Sequence, residues 1–106
     1  MSIIKQDYGE ISGGTLTYAD YSVDYQNVSS VTIPNDYDAV LIVTSFSGGQ
    51  QDNYKPTYNG ITYDWKLGNI GNTTYGTSII IPNVKANTNI TFPSPIWFSV
   101  YGYNLT

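Results

Sequence analysis

Asp38-Ala39-Val40-Leu41-Ile42-Val43-Thr44-Ser45-Phe46 is the stretch on which the fold turns. Ala39 to Val43 is unbroken apolar sequence with β-branched side chains at Val40, Ile42 and Val43. Pro34-Asn35-Asp36 precedes it and Gly48-Gly49 follows, both turn formers by residue type. A continuous apolar run this short, closed by turns at both ends, predicts a strand buried on both faces and central in its sheet. Ser47 to Asn53 beyond it reads as a mobile polar loop.

The next stretch can be read in register. Tyr54-Lys55-Pro56-Thr57-Tyr58 and Ile61-Thr62-Tyr63-Asp64-Trp65 flank Asn59-Gly60, the pair that a two-residue type I′ hairpin turn prefers. That turn sets 58 opposite 61, 57 opposite 62, 56 opposite 63, 55 opposite 64 and 54 opposite 65. One face then holds Tyr58/Ile61, Pro56/Tyr63 and Tyr54/Trp65, and the other holds Thr57/Thr62 and the opposite charges Lys55/Asp64. A one-residue slip would lose the face separation and the charge match together. Pro56 has no N–H to give, which predicts an edge position or a bulge for the first strand.

Further along, Gly68 to Gly76 reads as a second long loop, and Thr77 to Ile81 as an Ile-rich strand stopped by Pro82-Asn83. Val84 to Thr88 makes a turn, and Asn89 to Phe92 a short strand ended by Pro93-Ser94-Pro95. In Ile96 to Leu105 the pattern alternates, Ile96, Phe98 and Val100 on one face and Trp97, Ser99 and Tyr101 on the other. Upstream, Met1 to Gly14 reads as an extended arm with a turn. Thr15 to Tyr25 follows, with Tyr21, Val23 and Tyr25 alternating against Ser22 and Asp24, and then the short strand Val28 to Ile33. About eight short strands with turn signals between them predict an all-β chain with little or no helix. The expected form is a single-domain antiparallel β-sandwich over residues 1–106, jelly-roll-like or Ig-like.

Composition agrees. Twelve Ile and seven Val stand against four Leu, which suits a pleated sheet better than helices. Charged residues make up only 11% of the 106-residue chain, against roughly 25% for an average globular protein. There is no His, Cys or Arg. Thiolate or imidazole zinc ligands, thiol nucleophiles, Ser-His-Asp triads and arginine forks are therefore outside this chain's means. Net charge is −4 with four scattered lysines, so neither nucleic acid nor an anionic membrane surface is an expected partner. Met1 to Glu10 holds no apolar run suited to a signal peptide, so synthesis in the cytoplasm is expected.

Candidate chemistry is sparse. Asp36 with Asp38, or Asp20 with Asp24, bring two carboxylates close enough to consider glycoside hydrolysis, and Asp36, Asp38 and Asn35 could be considered for a calcium site. Their ordinary reading is turn shaping, and neither catalysis, a metal nor a cofactor is expected. The aromatics are more informative. Tyr54, Tyr58, Tyr63, Trp65 and Tyr75, with Asp52 and Asn53 beside them, are candidate interface or ligand-binding residues. Tyr and Trp dominate the energetics of protein interfaces, and with flanking Asn and Asp they also hold sugar rings. Asn69 and Asn72 would belong to the second version, in which the loops at 47–53 and 68–76 form a carbohydrate site.

The opening Met-Ser-Ile-Ile-Lys-Gln-Asp-Tyr-Gly-Glu-Ile-Ser-Gly-Gly resembles the N-termini of small structural proteins encoded in the tail regions of prophages from Gram-positive gut bacteria. The Val-Leu-Ile-Val strand after Pro-Asn-Asp-Tyr-Asp, and the closing Tyr101-Gly102-Tyr103, are similar in layout as well. The resemblance implies a β-sandwich virion component associated with tail, baseplate or fibre. Such a component is commonly homo-oligomeric, docked to other virion proteins, and in some cases in contact with host surface glycans. No catalytic residue comes with it. The expectation is a non-enzymatic structural or interaction protein, made in the bacterial cytoplasm and assembled into a virion. The alternative is a carbohydrate-binding module for bacterial surface glycans.

Overall fold

The computed structural model describes residues 14–70 and 73–106, with the backbone alone for 47–49, 68–70 and 73–77. The strands are β1 (Leu16–Ile33), β2 (Tyr37–Ser47), β3 (Thr57–Tyr58), β4 (Ile61–Thr62), β5 (Lys66–Ile70), β6 (Thr73–Val84) and β7 (Thr88–Leu105). They join antiparallel into one curled sheet of order β4-β3-β7-β2-β6-β5, with β1 on β7. The all-β class stands as expected. Among the described residues there are seven strands where the sequence suggests about eight, and their hydrogen bonding does not separate into the two sheets of a jelly-roll-like or Ig-like sandwich. Among the described residues no helix is long and apolar enough to cross a membrane.

β7 is the spine. β1 runs along one side of it from Leu16↔Leu105 to Ile33↔Thr88. The other side is shared: Thr91 pairs with Thr57 of β3, and Ser99 to Tyr103 pair with Val43 to Ala39 of β2. Between these partners lie Pro93 and Pro95, which have no N–H for a ladder. On the β1 side, Val28↔Ile96 and Ser30↔Thr91 leave Phe92 to Pro95 facing Ser29 alone. The Pro93-Ser94-Pro95 segment therefore does not end the strand as the sequence suggests. It is an irregularity inside an 18-residue strand, at the place where β7 changes neighbours.

β1 likewise joins two predicted pieces into one strand of 18 residues. Asp20 (φ 54°) and Asn27 (φ 56°) adopt the left-handed conformation at its register shifts, the region Asp and Asn enter most readily among side-chain-bearing residues. Ser47 closes β2, and Gly48–Asn53 form a 3₁₀ turn fastened by Tyr54 N–H to the Gln51 carbonyl at 3.0 Å, in place of a mobile loop. Residues 68–70 and 73–76 of the expected loop are strand instead, with β5 and β6 paired from Lys66↔Ser78 to Ile70↔Thr73, and Gly71 and Asn72 lie outside the described residues. Thr73, Thr74 and Tyr75 are good strand formers, and they pair with a Gly-Asn-Ile segment whose composition reads as loop.

The Asn59-Gly60 hairpin forms in the predicted register. Asn59 (φ 51°) and Gly60 (φ 78°) supply the two positive angles of a type I′ turn. Tyr58 pairs with Ile61 and Thr57 with Thr62, whose hydroxyls meet at 2.9 Å, and Lys55 reaches Asp64 at 3.0 Å. The free edge is β4, however. β3 lies between β4 and β7, and Pro56, fully buried, sits just outside that two-residue strand with its carbonyl accepting from Tyr63 N–H at 2.8 Å.

β2 is central, between β6 and β7, but among the described residues its outer face is buried only at Ala39, 1% exposed. Val40 and Ile42 are inaccessible and join Ile33, Ile79, Ile81, Ile90, Phe98 and Val100 in the core, while Leu41 is half-buried and Val43 38% exposed. Burial of each such aliphatic side chain contributes roughly 1.5–3 kcal/mol. An unbroken apolar run does not distinguish this arrangement from burial on both faces. The difference leaves an apolar outer surface on the sheet.

Candidate functional site

The residues singled out by sequence divide sharply. Tyr58 and Trp65 turn inward, at 6% and 4% exposure, and belong to the core. Tyr54 and Tyr63 are half-buried against it. The Trp65 indole N–H donates to the Tyr54 carbonyl at 2.8 Å, and Phe46 packs on both rings with centroids 5.1 and 5.3 Å away. Tyr58 Oη accepts from Lys85 N–H at 2.8 Å and lies 3.0 Å from Thr88 Oγ1. Tyr58 and Trp65 are large rings with their polar ends satisfied, the condition for stable aromatic burial. They hold the hairpin to the sheet.

Asp52 and Asn53 are exposed at the end of the 3₁₀ turn. Asp52 reaches Lys55 at 3.1 Å, so Lys55 stands between two carboxylates. Asp64 and then Asp52 hold its ammonium above the ordinary lysine value. The side chains of Tyr75 and Asn69, and all of Asn72, lie outside the described residues.

Of the carboxylate candidates, Asp36 and Asp38 serve the backbone. Asp36 accepts from Ala86 N–H at 2.8 Å, and Asp38 from Leu105 N–H at 2.8 Å, while Asn104 Oδ1 accepts from Asp38 N–H at 3.0 Å. Asn35 Nδ2 reaches Tyr37 Oη at 3.5 Å. Among the described residues no group of three or more His, Cys, Asp or Glu could hold a metal ion.

A different surface gathers the exposed chemistry. Cross-strand pairing places Ser22, Tyr101, Leu41 and Ile80 in one row on the outer face, and Asp24, Ser99, Val43 and Ser78 in the next. A third row holds Tyr18, Tyr103, Ala39 and Pro82, with the Tyr18 and Tyr103 rings edge-to-face at 5.8 Å. Past Val43↔Ser99 the β2–β7 ladder stops, and an open groove of about 410 Å³ lies between β1, β7 and β2. Trp97 stands in it at 61% exposure, the highest among the large apolar side chains described. Thr44 Oγ1 donates to the Trp97 carbonyl, and Ser99 Oγ donates to Asp24 Oδ1 at 2.6 Å. Beneath, Tyr25 and Phe98 stack with centroids 5.1 Å apart.

No known protein family, curated protein or solved structure matches the chain. What the site does rests on its own geometry.

That geometry was partly within reach of the sequence. The alternation from Ile96 to Tyr101 puts Trp97 opposite the core residues Ile96, Phe98 and Val100, and the structure buries those three at 6%, 4% and 0%. What the pattern lacks is any mark joining Trp97 to Asp24 and Thr44, which come from strands far away in sequence.

Proposed function

We propose that the chain is a non-enzymatic structural and interaction protein that works by self-association through the outer face of β1, β7, β2 and β6. The observation that carries the reading is the half-buried row Tyr101–Leu41–Ile80, extended by the exposed Val43, Trp97 and Tyr18, on a chain rich enough in polar residues to cover it. A contiguous apolar face rimmed by polar side chains is how an interaction surface differs from scattered exposed residues. The low charge of the chain suits a surface that spends its working life covered. The resemblance of residues 1–14 to prophage tail-region proteins gives that face a setting, repeated copies docked to one another and to other virion proteins after synthesis in the bacterial cytoplasm.

Light scattering coupled to sizing tests this. The expected result is a concentration-dependent oligomer that Leu41→Asp or Tyr101→Asp converts to monomer with the fold intact. A clean monomer at high concentration overturns the proposal.

A further inference from the structure

We infer that the groove around Trp97 is a binding site for an uncharged saccharide ring. The groove shares Val43 and Trp97 with the self-association face, but its own lining carries the saccharide site whether or not copies associate. A sugar ring presents two kinds of surface, a patch of C–H bonds on its face and hydroxyls around its rim. Trp97 offers an open indole for the first. Asp24, Gln26, Thr44 and Ser99 surround it with a carboxylate, an amide and hydroxyls for the second. The hydrogen bond from Ser99 holds one oxygen of Asp24 in place and leaves the other to accept from a ligand hydroxyl.

Charge selects against the other small ligands. Asp24 is the charged member of the lining, and no lysine is part of it, so phosphates, sulfates and acidic sugars would meet a carboxylate with no cation to offset it. The volume falls within the range of about 300–1,000 Å³ typical of ligand clefts, room for a ring and part of its neighbour. The stacked Tyr25 and Phe98 make a stiff floor, which reduces the ordering cost of binding.

Fluorescence titration with cellotriose, chitotriose and lactose, and with sialyllactose as the charged comparison, tests the site. The chain has two tryptophans, and Trp65 is buried with its N–H engaged, so a spectral change reports Trp97. The titration is run on the native chain and on Leu41→Asp, so that an oligomer covering the groove is told apart from a groove that binds nothing. The expected result is a saturable change with at least one neutral probe, abolished by Trp97→Ala and weakened about tenfold by Asp24→Asn, followed calorimetrically. Asp24→Asn serves as the binding variant should Trp97→Ala lose its fold, as judged by circular dichroism. Three outcomes overturn the inference: no change with any neutral probe at millimolar concentration in either background, binding untouched by both groove substitutions, or a preference for sialyllactose.

Discussion

The ring of Tyr37 lies flat against Gly102. A β-carbon built on Gly102 would come within 2.6 Å of Tyr37 Cε1, a distance that non-bonded carbons do not tolerate. Tyr37 is held in place, since it is 5% exposed and the ring of Tyr21, the residue paired with Gly102, stacks on it with centroids 5.1 Å apart. Gly102→Ala should therefore cost about 1–3 kcal/mol in denaturant unfolding, as overpacking of a rigid site does. Combining it with Tyr37→Ala should be less damaging than the sum of the two, because the second change removes the obstacle. Additive losses would show that the contact is not the cause.

Gly60 makes the opposite case. Its φ of 78° lies in the left-handed region, yet a β-carbon there would meet nothing within 4 Å. Gly60→Ala should cost about 1–2 kcal/mol from backbone strain alone, and Gly60→Asn less, since Asn enters that region more readily. The loss should localise. Hydrogen exchange of the Tyr63 amide, which closes the hairpin onto Pro56, should accelerate more than that of core amides in β2 and β7.

These two glycines also mark what the sequence discloses and what it hides. Asn59-Gly60 was legible because a type I′ turn is a local demand, and the register it sets then placed Lys55 on Asp64 and Thr57 on Thr62 without further information. Gly102 was not legible, since its reason is a tyrosine more than sixty residues away. The same divide governs the candidate site. The hairpin aromatics formed a visible local pattern, but that pattern does not say which way their shared face turns, and Tyr58 and Trp65 turn into the core. The Trp97 groove is assembled from β1, β2 and β7 by long-range pairing, so only its tryptophan had a signature. The β5–β6 pairing escaped for a related reason: cross-strand partners decided it against the loop composition of Gly68 and Asn69.

The tyrosines predict an alkaline limit to stability. Burial raises the phenol of Tyr21 well above its ordinary value of 10.0, assisted by its hydrogen bond with Tyr25 and by the neighbouring phenols of Tyr25 and Tyr37. Tyr63 is raised in the same direction, first by burial and then by Tyr58. The folded chain thus keeps these protons to a higher pH than the unfolded chain does. Their contribution to stability is complete below the unfolded value near 10 and is lost as pH rises toward the folded one. Unfolding midpoints followed from about pH 8 to about pH 12 should hold level and then fall. Tyr21→Phe, which has no proton to lose, should flatten the fall, and an unchanged alkaline slope in that variant would remove Tyr21 as its source.

Tyr58 separates a stabilising role from a binding one. Its hydroxyl accepts from Lys85 N–H, and because the Thr88 hydroxyl donates to the Lys85 carbonyl, the proton of Tyr58 goes to Thr88. Three groups from β3, the 85–88 turn and β7 are thereby joined through one oxygen. Tyr58→Phe keeps the ring in the core and leaves the part-buried Lys85 N–H without its acceptor, which should cost about 1–3 kcal/mol. The variant should unfold at lower denaturant while its oligomer distribution and its response to saccharide probes stay those of the native chain. Loss of either binding property at native stability would return Tyr58 from the core to the site.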